Sequence, residues 1–219
     1  AVKFMNTPGC VLTSPHKQDI IQYIDDVDEA SRVFRSVNTL RFREDGRIEG
    51  HGLDGKGVIG AFDDNDVDLK GKEVVMLGGI FATELANRGI RKLTILNRTV
   101  DKARYVTETL AARTPVETAC GKYTPENARR AVETADILIQ ATTLGMKGSG
   151  HDHPDLSFME ALPEGAWVME AVSNPPETAV IKKAQELFDS LKAAGVRVKI
   201  DTSDNSLGWK CAQYEMKGV

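Results

Sequence analysis

With 219 residues, 41% hydrophobic and 27% charged, the chain is long enough to bury one substantial core or two small ones, which excludes a disordered polypeptide. Its 28 Lys+Arg against 32 Asp+Glu leave a net charge of −4 and a pI near 5.7, so there is no basic field to hold a polyanion, and nucleic acid is not an expected partner. No apolar run approaches the ~20 residues that cross a bilayer and residues 1–6 have no signal-peptide core, while Cys10, Cys120 and Cys211 are scattered without zinc or disulfide spacing, so a cytoplasmic protein off the membrane is expected.

Taken in chain order, Gly9-Cys-Val-Leu-Thr13 reads as a short strand. Residues 18–34 read as one helix, because Ile20, Ile21, Ile24, Val27, Ala30 and Val33-Phe34 keep to one face. Leu40–Arg43 and Arg47–Gly50 form a hairpin around Asp45-Gly46. A further helix starts near Val58 and runs to the polar hinge Asp63-Asp-Asn-Asp66. Strands then alternate with helices: strands at 73–77, 92–96, 116–119, 136–140, 167–172 and 196–200, and helices at 80–88, 101–112, 125–133 and 178–194. Strand and helix in repetition predict a parallel sheet covered on both faces.

Three short turns of the first third carry Lys17, Asn38 and Asp54, in Thr13-Ser-Pro-His-Lys17, Ser36-Val-Asn38-Thr39-Leu40 and Gly50-His-Gly-Leu-Asp54-Gly. A lysine beside a carboxylate gives a proton to a carbonyl oxygen or takes one from a hydroxyl. Asn38 offers both a donor and an acceptor to a polyhydroxylated ligand. Taken singly, Lys17 fits a solvated surface position, Asp54 a turn and Asn38 a cap.

In a parallel sheet the ligand lies beyond the carboxyl ends of the strands, and the first strand-to-helix turn carries glycines for close approach to a pyrophosphate. Gly78-Gly79 occupies that turn, though a plain turn needs no ligand. At the end of the next strand stand Asn97-Arg98-Thr99, with Lys102 beyond them. A ribose-binding acidic residue suits NAD there, whereas Arg98, helped by Thr99 and Lys102, suits the extra 2′-phosphate of NADP. The plainer alternative is a helix start with Thr99 as its cap. His151-Asp-His153 lacks a third ligand nearby, and no metal is expected.

The order and wording of these segments resemble the shikimate dehydrogenase family. Thr13-Ser-Pro-His-Lys17 is similar to its Val-Thr-x-Pro-x-Lys stretch, Val37-Asn38-Thr39 to its Ala-Val-Asn-Thr, and Asp54-Gly55 to the end of its Gly-x-Asn-Thr-Asp-Gly, with Gly52-Leu53 in place of Asn-Thr. Leu93–Ala103 resembles the segment whose Asn-Arg-Thr grips NADP. Ala141-Thr142-Thr143-Leu144-Gly145-Met146 resembles the Ala-Thr-Pro-Leu-Gly-Met loop beside the nicotinamide, which implies cofactor roles for Ala141, Thr142 and Met146.

Several segments depart from the family. The glycine turn is shorter than its Gly-x-Gly-Gly loop, Ser173 replaces a tyrosine, and residues 1–12 hold no Ser-x-Ser pair for a substrate carboxylate. The chain opens on Ala1, so a native start ahead of it is expected.

The resemblance implies an α/β protein of two domains: an α/β substrate domain from residues 1–61, a doubly wound, Rossmann-like NADP domain at 62–200, and a helix at 201–219 returning to the first. It implies reversible hydride transfer between NADPH and 3-dehydroshikimate, giving shikimate. Lys17 and Asp54 then handle the proton, Thr13 and Asn38 position the ring hydroxyls, and the molecule is a monomer or homodimer. Two rivals stand beside this reading: a dehydrogenase of quinate or another ring acid, and a family-derived binding protein without catalysis.

Overall fold

The computed structural model describes residues 7–12, 16–78, 81–147, 149–171 and 179–193. Thr13, Gly79, Ser173, the strand expected at 196–200 and the helix expected at 201–219 lie outside them.

The first sheet has four strands in the order β1 (Gly9–Val11), β3 (Thr39–Phe42), β4 (Ile48–His51), β2 (Asp26–Val27). All pairs are antiparallel except β2 with β4, which is parallel. The single helix expected over 18–34 is instead three pieces: a 3₁₀ turn at Asp19–Tyr23, strand β2, and helix α1 (Glu29–Phe34). Three aspartates break it, Asp26 by pairing with Arg47 at 2.8 Å. Asp25 accepts from the Ile48 amide at 2.7 Å, and Asp28 caps α1 by accepting from the amide of Ser31 at 2.9 Å and from its hydroxyl at 2.8 Å. Short acidic side chains offer the backbone these alternatives to helix, and apolar spacing does not register them.

Helix α2 (Asp54–Asp64) starts four residues earlier than the apolar spacing predicts. Gly55, Gly57 and Gly60 disguise its first turns, since glycine costs a helix about 1 kcal/mol relative to alanine. All three are buried, and tertiary packing overrides propensity here.

The second sheet is fully parallel, in the order β7 (Glu117–Lys122), β6 (Lys92–Asn97), β5 (Glu73–Leu77), β8 (Ile137–Gln140), β9 (Trp167–Glu170). Successive strand residues face opposite sides and build two cores. Val74, Met76, Leu93, Ile95, Ile137 and Ile139 meet residues of α2, α3 (Ala82–Asn87) and α4 (Val100–Ala111). Val75, Leu77, Leu96 and Leu138 meet α5 (Pro125–Val132), the 3₁₀ turn Ser157–Ala161 and α6 (Ala179–Ala193). This is the doubly wound α/β arrangement expected from the strand-helix alternation. Strand β7 runs to Lys122, past the expected 119, because its pairing with β6 continues to Asn97. Among the described residues no helix is long and apolar enough to cross a membrane.

Candidate active site

The first sheet gathers three of the expected polar residues. Val37 donates its amide to the Lys17 carbonyl at 2.9 Å, and Asn38 takes its backbone bonds from both neighbouring strands, donating to His51 at 3.0 Å and accepting from Leu12 at 2.6 Å. The turn at Lys17, the start of β3 and the end of β4 are thereby held together.

On that frame Lys17 Nζ donates to Oδ2 of Asp54 at 2.6 Å. Asn38 Nδ2 donates to the other oxygen, Oδ1, at 2.8 Å. The Asn38 carbonyl oxygen in turn accepts from the Leu53 amide at 2.9 Å and from the Thr39 hydroxyl at 3.2 Å. Asn38 is 7% exposed, so it is a fixed part of the structure, while the Lys17 and Asp54 side chains remain 24% and 32% accessible. A buried amide therefore locks the carboxylate, and an accessible ammonium sits on its far oxygen. That arrangement holds a proton ready for a neighbouring oxygen.

Gly52, where the chain departs from the family pattern, lies close against Ser31. A Cβ there would lie 2.7 Å from Oγ of Ser31, a residue 2% exposed whose hydroxyl is committed to Asp28. The Gly52 amide also donates to Asp28 at 3.1 Å. Ser31 and Asp28 thus crowd the space beside Gly52.

The second group of expected residues lies at the carboxyl ends of the parallel strands. Gly78 ends β5 at φ +103°, and a Cβ there would come within 2.7 Å of the Ala141 carbonyl, so the turn and the loop after β8 touch backbone to backbone. At the end of β6, Asn97 is half-buried, and Arg98, Thr99 and Lys102 are exposed. Thr99 makes no side-chain cap to α4, so its hydroxyl is not consumed in the way the plainer reading of this segment requires. Arg98 and Lys102 have no ion-pair partner among the described residues, whereas Arg104, Arg113 and Arg130 each hold a carboxylate. Two cations and a hydroxyl left free at the start of a helix are a donor set suited to a phosphate.

The loop after β8 depends on a residue that sequence reading missed. Gln140 is fully buried; its Oε1 accepts from the amide and the hydroxyl of Thr142, both at 2.8 Å, and its Nε2 donates to the Leu144 carbonyl at 3.2 Å. Thr142 is therefore occupied in shaping the loop, its hydroxyl also accepting from Leu144 at 3.1 Å. Met146 is left 40% exposed at the loop's end. The signal was present in the chain: a lone amide closing the apolar run Ile137-Leu-Ile.

Among the described residues no group of three or more His, Cys, Asp or Glu side chains is placed to hold a metal ion. His153 instead meets the Tyr123 hydroxyl through Nδ1 at 2.9 Å. Burial lowers the pKa of His153 and, with Asp155 adding, pushes the Tyr123 phenol up to about 12.

A shikimate dehydrogenase (NADP(+)) of Methanothermobacter thermautotrophicus is 33% identical over 202 residues, covering 90% of this chain and 69% of that protein. Among solved structures, a shikimate dehydrogenase in complex with NADP+ matches with a TM-score of 0.73 at 26% identity, covering 100% of this chain and 74% of the other. The quinate dehydrogenase of Corynebacterium glutamicum in complex with NAD matches with a TM-score of 0.68 at 25% identity, over 84% of this chain and 66% of the other. The chain thus spans about two thirds of the length of the curated relatives it matches. A family model described as an anticodon binding domain matches residues 168–219, a minor share of the chain and for the larger part outside the described residues. By its identity and coverage against the Methanothermobacter thermautotrophicus protein, the chain belongs to the shikimate dehydrogenase family of oxidoreductases.

Proposed function

We propose that this protein interconverts 3-dehydroshikimate and shikimate with NADP as the redox partner. The observation that carries the reading is the Lys17–Asp54 pair, 2.6 Å apart and anchored by Asn38. When bound, the nicotinamide supplies or accepts the hydride at the carbinol carbon. In the reducing direction Lys17 gives a proton from Nζ to the carbonyl oxygen as that oxygen gains charge. Asp54 holds the ammonium in place and balances its charge until the proton is given up. Asn38 keeps Asp54 from rotating away, and with Thr13 it is the residue assigned to the ring hydroxyls.

The residues of the second lobe fit the cofactor. Arg98, Thr99 and Lys102 would hold the 2′-phosphate and Asn97 the neighbouring ribose. Gly78 and Gly79 would pass along the pyrophosphate, with Ala141, Thr142 and Met146 beside the nicotinamide ring. Support comes from Arg98 and Lys102, which have no ion-pair partner among the described residues, and from the NADP(+) in the names of the curated relatives. Shikimate-dependent reduction of NADP+, followed at 340 nm, tests the proposal. Turnover with shikimate and NADP+ supports it, and its absence alongside turnover of another ring acid contradicts it.

Quinate is the second substrate reading, favoured by the quinate dehydrogenase neighbour and by Leu53 where the family pattern has a hydroxyl. The same assay with quinate decides it by the ratio of kcat/KM values.

For residues 168–219 the anticodon-binding match favours a separate reading, a contact with tRNA. Its seven Lys and Arg are balanced by seven Asp and Glu, so the segment brings no electrostatic attraction to a polyanion. Fluorescence anisotropy of labelled tRNA with the whole chain, with and without NADPH, separates this from the dehydrogenase reading.

A further inference from the structure

Strands β6 and β7 pair in register along their whole length, and the two end rungs of that ladder differ. At the first rung Lys92 faces Glu117, and the two side chains pair, Nζ to Oε1 at 3.8 Å. At the last rung Lys122 faces Asn97, and no carboxylate stands opposite. Lys122 is exposed and has no ion-pair partner among the described residues. We propose that Lys122 is a further cation of the cofactor site, placed to bind the 2′-phosphate of NADP beside Arg98 and Lys102. The proposal rests on the reading that the end of β6 holds that phosphate.

The pleat decides on which side of the sheet Lys122 lies. Successive strand residues face opposite sides, so Thr118, Cys120 and Lys122 share one of them. The Thr118 hydroxyl donates to the Thr107 carbonyl of α4 at 3.2 Å, and Cys120 packs on the core that α4 covers. On β6, Leu93 and Ile95 enter the same core, which sets Asn97 on that side too. Asn97 and Lys122 are therefore neighbours at the carboxyl end of the sheet, on adjacent strands about 4.8 Å apart and on the side from which α4 starts. The backbone there is held in place. The Tyr123 amide donates to the Asn97 carbonyl at 3.0 Å, and Asn127 Nδ2 donates to the Lys122 carbonyl at 2.9 Å. A fixed Cα carrying an ammonium on a flexible stem lets the charge move to an arriving ligand.

Charge gives the placement its consequence. The carboxylates nearest along the chain are committed elsewhere, Asp101 to Arg104 at 2.9 Å and Glu126 to Arg130. Arg98, Lys102 and Lys122 thus bring three positive charges to one end of the sheet without a carboxylate among the described residues to balance them. Like charges gathered in this way repel, and a bound anion relieves the repulsion. A phosphate monoester carries about −1.5 to −2 charges at neutral pH, whereas the ribose hydroxyl of NAD carries none. Lys122 therefore acts on the choice between the two cofactors.

The test is fluorescence titration of NADPH and of NADH into the whole chain, as wild type, Lys122→Met, Lys122→Glu and Arg98→Ala. NADH binding also shows that each variant is folded. Lys122→Met is expected to weaken NADPH by about 3- to 10-fold, between an exposed ion pair and a charge-assisted hydrogen bond, and NADH by less than about twofold. Lys122→Glu, which reverses the charge, must weaken NADPH further. The loss must shrink at high salt, which screens an exposed charge. An NADPH constant unchanged in both Lys122 variants, or equal weakening of both cofactors, overturns the proposal, and a selective NADPH loss in Arg98→Ala then leaves the phosphate reading standing. NADPH constants unchanged in all three variants, or a wild type that prefers NADH, overturn the phosphate reading and the proposal with it.

Discussion

Asn38 holds the carboxylate of Asp54 by one oxygen, Nδ2 to Oδ1 at 2.8 Å, and so leaves Oδ2 to Lys17. The same Asn38 side chain receives the Leu53 amide at 2.9 Å, one residue before Asp54, so a single buried group fixes both the side chain and the backbone that carries it. Asn38→Ala leaves that amide and one carboxylate oxygen unpaired, a loss of about 1 to 3 kcal/mol for each buried polar group. The variant is expected to melt at lower temperature and to lose kcat more than it loses NADPH affinity. A variant with wild-type kcat would show that Asp54 needs no such hold.

Arg98→Ala is expected to weaken NADPH binding by about 10- to 150-fold, because a charge-assisted contact to phosphate contributes roughly 1.5 to 3 kcal/mol. NADH, which has no 2′-phosphate, is expected to bind nearly as before. Fluorescence titration with both cofactors measures the two constants. Equal weakening of both would place Arg98 away from the phosphate.

Gln140→Leu removes the side-chain bonds that Gln140 makes to the loop after β8. It leaves the Thr142 amide and the Leu144 carbonyl without their partners and is expected to cost about 1 to 3 kcal/mol per buried group. Cofactor affinity is expected to fall with it, since Ala141 and Met146 flank the same loop. Urea denaturation and NADPH titration on one preparation check both effects, and unchanged cofactor affinity would separate the loop from the cofactor.

Glu84 gives a stability effect with a definite sign. Its folded pKa lies above the ordinary 4.5 because burial opposes its charge. The stability it contributes is therefore fully present below that ordinary value and is lost as pH rises through the raised one. Glu84→Gln, uncharged throughout, is expected to match the wild type in acid and to melt above it at neutral pH. Thermal denaturation at both pH values reads the difference. A difference that shrinks on going from acid to neutral pH would reverse the assignment.

The parallel sheet was legible because β5, β6 and β8 are apolar runs punctuated by turn residues, and buried strands need little else. The interval 18–34 misled because Asp25, Asp26 and Asp28 turn the chain through side-chain bonds, which hydrophobic periodicity does not register. Lys17, Asn38 and Asp54 were readable as motif residues, but not the division of the two Asp54 oxygens between them. Glu84 was not readable at all. It lies against Gly55, a contact between residues on two helices whose closeness only the folded chain creates.

The central claim is that Lys17 and Asp54 move the proton while the cofactor site stands apart from them. Steady-state turnover of shikimate with NADP+ at 340 nm, in wild type, Lys17→Ala and Asp54→Asn, tests it most directly when paired with NADPH titration of the same proteins. The account predicts a fall in kcat of about 10²-fold or more in each variant, the usual scale of general acid–base catalysis, with NADPH affinity nearly unchanged. Turnover in both variants within about threefold of wild type, far below that scale, would contradict it.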